Sequence, residues 1–258
     1  MRDGRVTAFL VVVLFAIGMY YFLDALKNKG MKYALRRVTG LEAIKEAVGR
    51  ATELGRPVFF SAGIGDVVGA EGMQVLAGMD ILSFVAKMCA EYNVRIISTV
   101  SKQNVQVVTE EVVRSAYTSV GRKDAYQPEM VQFLSPTQMA YTAASIAIMR
   151  RERIAASILV GPFFGEALIM AEAAAEIGAI GIAGTARMSQ LPLFVAACDY
   201  TLIGEEMFAG SAYLTGEPMA VGNIVVQDIT KMAAILCIVV GSLLRTANVN
   251  LLHDLLGR

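Results

Sequence analysis

Residues 57–63 read Pro-Val-Phe-Phe-Ser-Ala-Gly, a short apolar run that starts at a proline and ends at a glycine. Such a run is typical of a strand that is buried on both faces of a sheet. A helix is predicted just before it, over Leu41–Leu54, because apolar residues recur there at helical spacing. Thr39 is expected to cap this helix and Gly55 to end it.

The same alternation of helix and short apolar strand continues to about residue 213. Further strands are predicted at Val94–Val100, Met130–Leu134, Ile154–Val160, Ile180–Ala183 and Tyr200–Ile203. Helices are predicted at Gly72–Tyr92, Val105–Val120, Thr137–Arg151, Phe164–Ile177, Gln190–Ala197 and Glu205–Tyr213. Strands joined by helices form parallel sheets through right-handed crossovers. The sequence therefore predicts a Rossmann-like α/β domain with a parallel sheet of about six strands and helices on both faces.

The N-terminus carries an uncharged apolar run, VTAFLVVVLFAIGMYYFL, at Val6–Leu23. As a helix rising about 1.5 Å per residue, it is just long enough to cross the roughly 30 Å core of a bilayer. A cleaved signal sequence is the alternative, but the run ends in bulky rather than small residues. Basic residues cluster after the run and predict that the following domain faces the cytoplasm. They are Lys27, Lys29, Lys32, Arg36 and Arg37.

A second uncharged run, MAAILCIVVGSLL, lies near the C-terminus at Met232–Leu244. It is short for a membrane span, so a core helix is one alternative. A second span is favoured, because Lys231 can snorkel and because Ile224–Val226 and Ile229 extend the apolar stretch upstream. Val249–Leu256 is a brief amphipathic piece suited to the interface. The predicted organisation is an anchor at 1–38, a cytoplasmic domain at 39–222 and a membrane tail at 223–258, all at the inner membrane.

The composition indicates more buried apolar surface than one small domain provides. Hydrophobic residues are 55% of the 258 residues, charged residues only 18%, and the mean hydropathy is +0.54. Contacts with membrane lipid, with other protein chains, or with both are expected. The predicted helices at Met139–Met149 and Phe164–Ile177 carry few charges, so we expect a homo-oligomer. The formal net charge of zero argues against nucleic acid as a partner.

The cysteines and the histidine do not form a recognisable site. Cys89, Cys198 and Cys237 are far apart, and no C-x-x-C pair occurs. His253 is the only histidine and lies outside the α/β domain. We therefore expect reduced, buried thiols and no zinc site. The missing histidine also removes the usual arrangements for a Ser or Cys nucleophile.

Glycines, hydroxyls and charged side chains follow the predicted strands, where open parallel sheets bind ligands. Backbone amides at the glycines could meet an anion that hydroxyls then bind, which is typical of a small-molecule site. The alternative is that these glycines and hydroxyls only shape turns and cap helices. The candidate ligand-binding residues are Gly63, Gly65, Asp66, Thr99, Ser101, Lys102, Ser135, Gly161, Glu166, Thr185 and Glu205.

No complete catalytic or cofactor motif is present. The spacing of Gly63, Gly65 and Gly69 is one residue too long for the dinucleotide fingerprint, and no P-loop occurs. Carboxylates are the only acid–base groups at the predicted rim, which is the edge of the sheet where the strands end. Acidic residues at the start of a helix usually serve as caps. The carboxylates at the rim are Asp66, Glu166, Glu205 and Glu206. Catalytic residues and a cofactor remain unknown at this point, and no metal is expected.

Three segments resemble a family of prokaryotic membrane proteins of unknown function. These are GRPVFFSAGIGD at Gly55–Asp66, GPFFGEALIMAE at Gly161–Glu172 and GIAGT at Gly181–Thr185. The resemblance implies a membrane-tethered α/β domain and adds no mechanism.

Two classes of function are therefore expected. The first is a membrane-anchored, self-associating binding or scaffold protein at the cytoplasmic face. The second is a membrane-tethered enzyme or sensor that binds a nucleotide or a phosphorylated small molecule at the carboxyl ends of the strands. The incomplete motifs favour the first. A transporter fits less well, because so little of the chain is suited to the membrane.

Overall fold

The computed structural model describes residues 38–215, residues 218–246 with part of their side chains, and a few isolated positions between 13 and 24. Six strands form one sheet in this part of the chain. They are β1 (Val58–Ser61), β2 (Ile96–Val100), β3 (Val131–Phe133), β4 (Ala156–Val160), β5 (Ile180–Thr185) and β6 (Tyr200–Ile203). All neighbouring pairs are parallel, which confirms the predicted α/β class.

The strand order is β3-β2-β1-β4-β5-β6, the order of a doubly wound sheet. β2 and then β3 lie on one side of β1, and β4, β5 and β6 follow one another on its other side. β1 therefore lies at the centre, with Ser61 opposite Thr99 of β2 and Leu159 of β4. Both central strands are fully buried, as their continuous apolar sequences predict.

Helices cover both faces of the sheet. They are α1 (Thr39–Leu54), α2 (Gly72–Glu91), α3 (Gln103–Ser119), α4 (Gln138–Glu152), α5 (Glu166–Glu176), α6 (Leu191–Ala197), α7 (Glu205–Phe208), α8 (Gly210–Thr215) and α9 (Pro218–Thr246). Alternate residues of β1 point to opposite sides. Val58 and Phe60 join a core with α1, α2 and α3, and Phe59 joins a core with α4, α5 and α6.

The element boundaries differ from the sequence predictions in two informative places. Thr39 is the first residue of α1, and no side chain caps the helix at Val38, so the predicted threonine cap is wrong. The helix predicted at Glu205–Tyr213 is divided into α7 and α8 around Ala209. This break brings Gly210 against Ile81 of α2, where a Cβ would lie 2.8 Å from the isoleucine side chain.

The chain forms two compact units, residues 36–215 and residues 1–35 together with 216–258. The predicted anchor at Val6–Leu23 and the tail at Val249–Leu256 lie outside the continuously described ranges. The second apolar run lies in α9, a single continuous helix of 29 residues. Among the described residues, only α2 meets the length and hydropathy of a membrane span, and it is mostly buried in the α/β core.

Candidate functional site at the carboxyl ends of the strands

The direction of strand addition reverses between β1 and β4, and doubly wound sheets bind ligands in the crevice at that point. The loop after β1 contains Gly63 and Gly65, and the loop after β4 contains Gly161. All three were predicted from the sequence as ligand-binding residues. Their surroundings therefore decide how an anion could be bound here.

The two loops touch each other across this crevice. The amide of Ile64 donates a hydrogen bond to the carbonyl oxygen of Pro162 at 3.1 Å. A Cβ at Gly63 would lie 2.2 Å from the same oxygen, and a Cβ at Gly161 would lie 2.1 Å from the carbonyl oxygen of Ala62. Both glycines also have positive φ, at 82° and 150° respectively. Glycine is required because two backbones meet, whether or not a ligand binds.

The glycine amides are largely engaged inside the protein. The Gly63 amide donates to the Ser61 hydroxyl at 3.2 Å, and the Gly161 amide donates to the Gly184 carbonyl at 2.9 Å. A Cβ at Gly65 would lie 2.3 Å from the Pro162 ring. An anion could use the amides of Gly63 and Gly161 only if these internal hydrogen bonds broke.

A buried hydroxyl cluster lies beneath the loops on the α4 side of the sheet. The phenol of Tyr141 lies 2.6 Å from the Ser61 hydroxyl and 2.9 Å from the Thr99 hydroxyl, and it donates to the Thr99 carbonyl at 3.1 Å. Because a phenol has one proton, at least one of the two hydroxyls donates to its oxygen. Burial raises the pKa of Tyr141, although these hydrogen bonds act in the opposite direction. Tyr141 therefore joins β1, β2 and α4.

Glu166 is completely buried at the first position of α5. Its carboxylate accepts hydrogen bonds from the Phe164 amide at 2.9 Å and from the side-chain amide of Gln138. The negative charge lies at a helix N-terminus, where the helix dipole stabilises it. Glu166 thus connects the start of α5 with the start of α4.

Other predicted site residues shape their own turns. The Ser135 hydroxyl accepts from the Thr137 amide at 3.1 Å, and the Thr185 hydroxyl accepts from the Arg187 amide at 3.2 Å. Glu205 is exposed in the first turn of α7, while the neighbouring Glu206 accepts from the Ile203 amide at 3.0 Å. These contacts are those expected of turn and cap residues.

A second group of predicted residues lies where the β1 loop meets the start of α3. The Asp66 carboxylate accepts from the Val68 amide at 3.0 Å and from the side-chain amide of Asn104. These hydrogen bonds lower the pKa of Asp66, and the nearby charge of Lys102 acts in the same direction. The Ser101 hydroxyl is buried and has no hydrogen-bond partner among the described residues.

The sequence did not indicate the role of Arg187. Its guanidinium forms an ion pair with Glu71 and lies 3.9 Å from the ring centroid of Phe164, a cation–π contact. These three residues come from the loops after β5, β1 and β4, so the contact joins three loops at the rim. Gln74 adds a hydrogen bond from the Ala186 amide at 3.3 Å. An isolated arginine in a loop gives no pattern that would predict this contact.

Two surface cavities lie at the amino-terminal edge of the sheet, opposite the edge where the strands end. One of about 350 Å³ is lined by Glu46, Arg50 and Asp199, and one of about 640 Å³ is lined by Arg56 and Arg95, among others. In the first, the Asp199 carboxylate accepts from the Gly181 amide at 2.8 Å. None of the predicted site residues lines either cavity.

The order of the sheet and the contact between its central loops define a doubly wound α/β protein with a bridged central crevice. A family model described as Domain of unknown function (DUF6754) matches residues 1–256. The chain therefore belongs to this family, which confirms the expectation of an uncharacterised family. Searches of curated proteins and of solved structures give no significant match.

Proposed function

We propose that this chain is a membrane-anchored, self-associating α/β binding or scaffold protein at the cytoplasmic face of the inner membrane, without evident catalysis. The observation that carries the proposal is the exposed surface of α9. Large apolar side chains along this helix are between 41% and 71% exposed. They are Ile229, Met232, Ile235, Leu236, Ile238, Val239 and Val240.

These side chains are distributed over more than half of the circumference of the helix. Each residue turns the helix by about 100°, so Ile238 lies opposite Ile229. Ala233 and Ala234 are exposed between them. A helix that is apolar on all sides is typical of a membrane span or of a helix buried within protein. Together with the uncharged run at Val6–Leu23, α9 supports contact with membrane lipid.

The predicted alternative is a membrane-tethered enzyme or sensor that binds a nucleotide or a phosphorylated small molecule at the rim. The buried Ser101 hydroxyl, which has no hydrogen-bond partner in the part of the chain that the structure describes, and the neighbouring Lys102 favour it. The contact between Ile64 and Pro162 acts against it, because it occupies the crevice where such a ligand binds in doubly wound sheets. The scaffold proposal requires no opening of these loops.

The membrane part of the proposal is tested by fractionation after deletion of residues 1–30. We expect this truncated chain to remain partly in the membrane fraction after alkaline extraction, through 229–244. The matched variant carries the same deletion with Leu236→Lys and Val239→Lys, and it should move to the soluble fraction. If the deletion alone gives a fully soluble, monodisperse protein without detergent, α9 does not hold the chain in a membrane.

The cytoplasmic location is tested with a cysteine at the exposed Val107 position of α3. A membrane-impermeant maleimide should label Val107→Cys in lysed cells and leave it unlabelled in intact cells. The parent chain gives the background from its native cysteines. Equal labelling in intact and lysed cells would place the domain on the other side of the membrane.

A further inference from the structure

The two helical layers of the α/β unit have different outer surfaces. On the layer formed by α1, α2 and α3 the exposed residues are largely charged or polar, as Glu42, Lys45 and Arg114 illustrate. The large apolar side chains of Met73, Leu76 and Val107 are exposed there among them. The outer surface of α4, α5 and α6 is apolar over most of its length. Its exposed apolar residues, called here the α4–α5–α6 face, are Met139, Ala140, Ala143, Ala147, Ile169, Ala175, Pro192, Val195 and Ala196. The exposed charged residues beside them are Arg150, Arg151, Glu172 and Glu176.

We propose that the α4–α5–α6 face binds the same face of a second copy of this chain, around a two-fold axis parallel to α4 and α5. The proposal rests on the self-association in the proposed function and names the surface that forms it. Met139 is 64% exposed, Val195 54% and Ile169 43%, so burying them against a second copy removes apolar area from water.

Charge complementarity favours a second copy over an unrelated partner. The basic end of α4 carries Arg150, and α5 carries Glu176, with 2.7 Å between their charged groups. These two residues therefore lie at the same height on adjacent helices. Rotation by 180° about an axis parallel to the helices places α4 of one copy opposite α5 of the other. Each Arg150 then lies opposite Glu176 of the second copy. The apolar residues of the α4–α5–α6 face, closer to the N-terminal ends of these helices, meet those of the second copy.

The ends of the α/β unit are compatible with this axis. The Tyr213 hydroxyl of α8 donates to the Glu42 carboxylate of α1 at 3.1 Å, so the last and first helices of the unit are adjacent. Gly40 lies against Leu202, close to the carboxyl end of β6. A two-fold axis parallel to the helices keeps these ends on the same side in both copies. Copies anchored in one membrane require this arrangement, and tethering raises their effective concentration.

The test uses charge reversal on the full chain in detergent, with two affinity tags to measure association. Arg150→Glu places like charges opposite each other in a pair of identical copies, and Glu176→Arg does the same. We expect each variant alone to associate about tenfold more weakly than the unaltered chain. An equal mixture of the two should recover association, because Glu at position 150 of one copy then faces Arg at position 176 of the other.

The mixture separates contacts between copies from contacts within one copy. Both variants lose the ion pair inside the chain, and mixing cannot restore it, so recovery requires pairing across the interface. If the unaltered chain associates and each variant associates as strongly as it does, the α4–α5–α6 face is not the interface, and the proposed function stands. If the variants weaken association and the mixture does not recover it, the two-fold pairing is wrong. A strictly monomeric unaltered chain would remove both proposals.

Discussion

The amide of Ile64 donates a hydrogen bond to the carbonyl oxygen of Pro162, joining the loops that follow the two central strands. In a doubly wound sheet this is the position of the ligand crevice. The glycines on either side, Gly63 and Gly161, are therefore required for the approach of one backbone to another. A glycine-rich sequence at a strand end is compatible with this contact as well as with phosphate binding.

Gly161→Ala should destabilise the α/β unit by about 3 kcal/mol or more, because the new Cβ meets the Ala62 carbonyl oxygen. Gly165→Ala is the matched control, since a Cβ there has no neighbour within 4 Å and its φ is negative. Thermal unfolding followed by circular dichroism of the full chain in detergent measures both. Equal melting temperatures for the two variants would mean that the loops are not in contact.

Tyr141→Phe should destabilise the unit by about 1–3 kcal/mol, because removal of the buried phenol oxygen leaves the Thr99 hydroxyl without a partner and the Ser61 hydroxyl with only the Gly63 amide. Tyr92→Phe is the control, since that side chain is 53% exposed. Chemical unfolding of both variants gives the comparison. A stability unchanged by Tyr141→Phe would show that water or another group replaces the phenol in the native protein.

The fold was predictable because the strands are buried on both faces. A strand such as Ala156–Val160 then carries no charged residue, and a helix such as α3 has a clear apolar stripe. The break between α7 and α8 was not predictable, since it depends on the fit of Gly210 against Ile81 in another part of the chain. Sequence periodicity contains no information about such distant contacts.

The candidate site was predictable only in its location. All the predicted residues lie at the carboxyl ends of strands, in the loops that follow them or at helix starts, because the alternation fixes where the carboxyl ends lie. The partners of each side chain were not predictable. In the sequence Tyr141 stands out only as part of a chargeless helix, yet its phenol joins Ser61 and Thr99 at the ends of the two strands. Arg187 contacts Glu71, which lies more than a hundred positions earlier in the chain, and no local sequence pattern indicates such a contact.

Cys198 should react slowly with iodoacetamide in the folded protein. Burial raises the pKa of this thiol from 9.0 to about 12, with a smaller contribution from the negative charge of Asp199. At pH 8 its thiolate is roughly a thousandfold scarcer than in an unfolded chain. Because the folded pKa is the higher one, this contribution to stability is intact below pH 9 and is lost as the pH rises towards 12.

Mass spectrometry of peptides labelled for increasing times, with and without urea, measures the reactivity of Cys198. Labelling should accelerate strongly when the chain unfolds. The fully buried Cys89 serves as an internal reference for complete protection. A Cys198 that labels equally fast in both conditions would contradict the partial burial of its side chain between α6 and β6.

Ile148 and Ile169 lie on the two helices whose lack of charge predicts self-association, yet the structure gives them different environments. Ile148 is only 5% exposed and belongs to the core beneath α4, whereas Ile169 is 43% exposed on α5. Ile148→Arg should unfold the unit, at about 4 kcal/mol or more, because it buries an unpaired charge. Ile169→Arg should leave the fold intact and weaken association, because the charge enters the interface between copies.

The control for Ile169→Arg is Val107→Arg, which adds the same charge at a 68% exposed position on the polar layer of helices. Its association should equal that of the unaltered chain. Circular dichroism reports folding, and sedimentation in detergent reports the mass of each variant. If Ile169→Arg unfolds the chain, its side chain is part of the core. If it stays folded and associates as strongly as Val107→Arg, apolar contacts at α5 do not hold the copies together, and the interface must lie elsewhere on the chain.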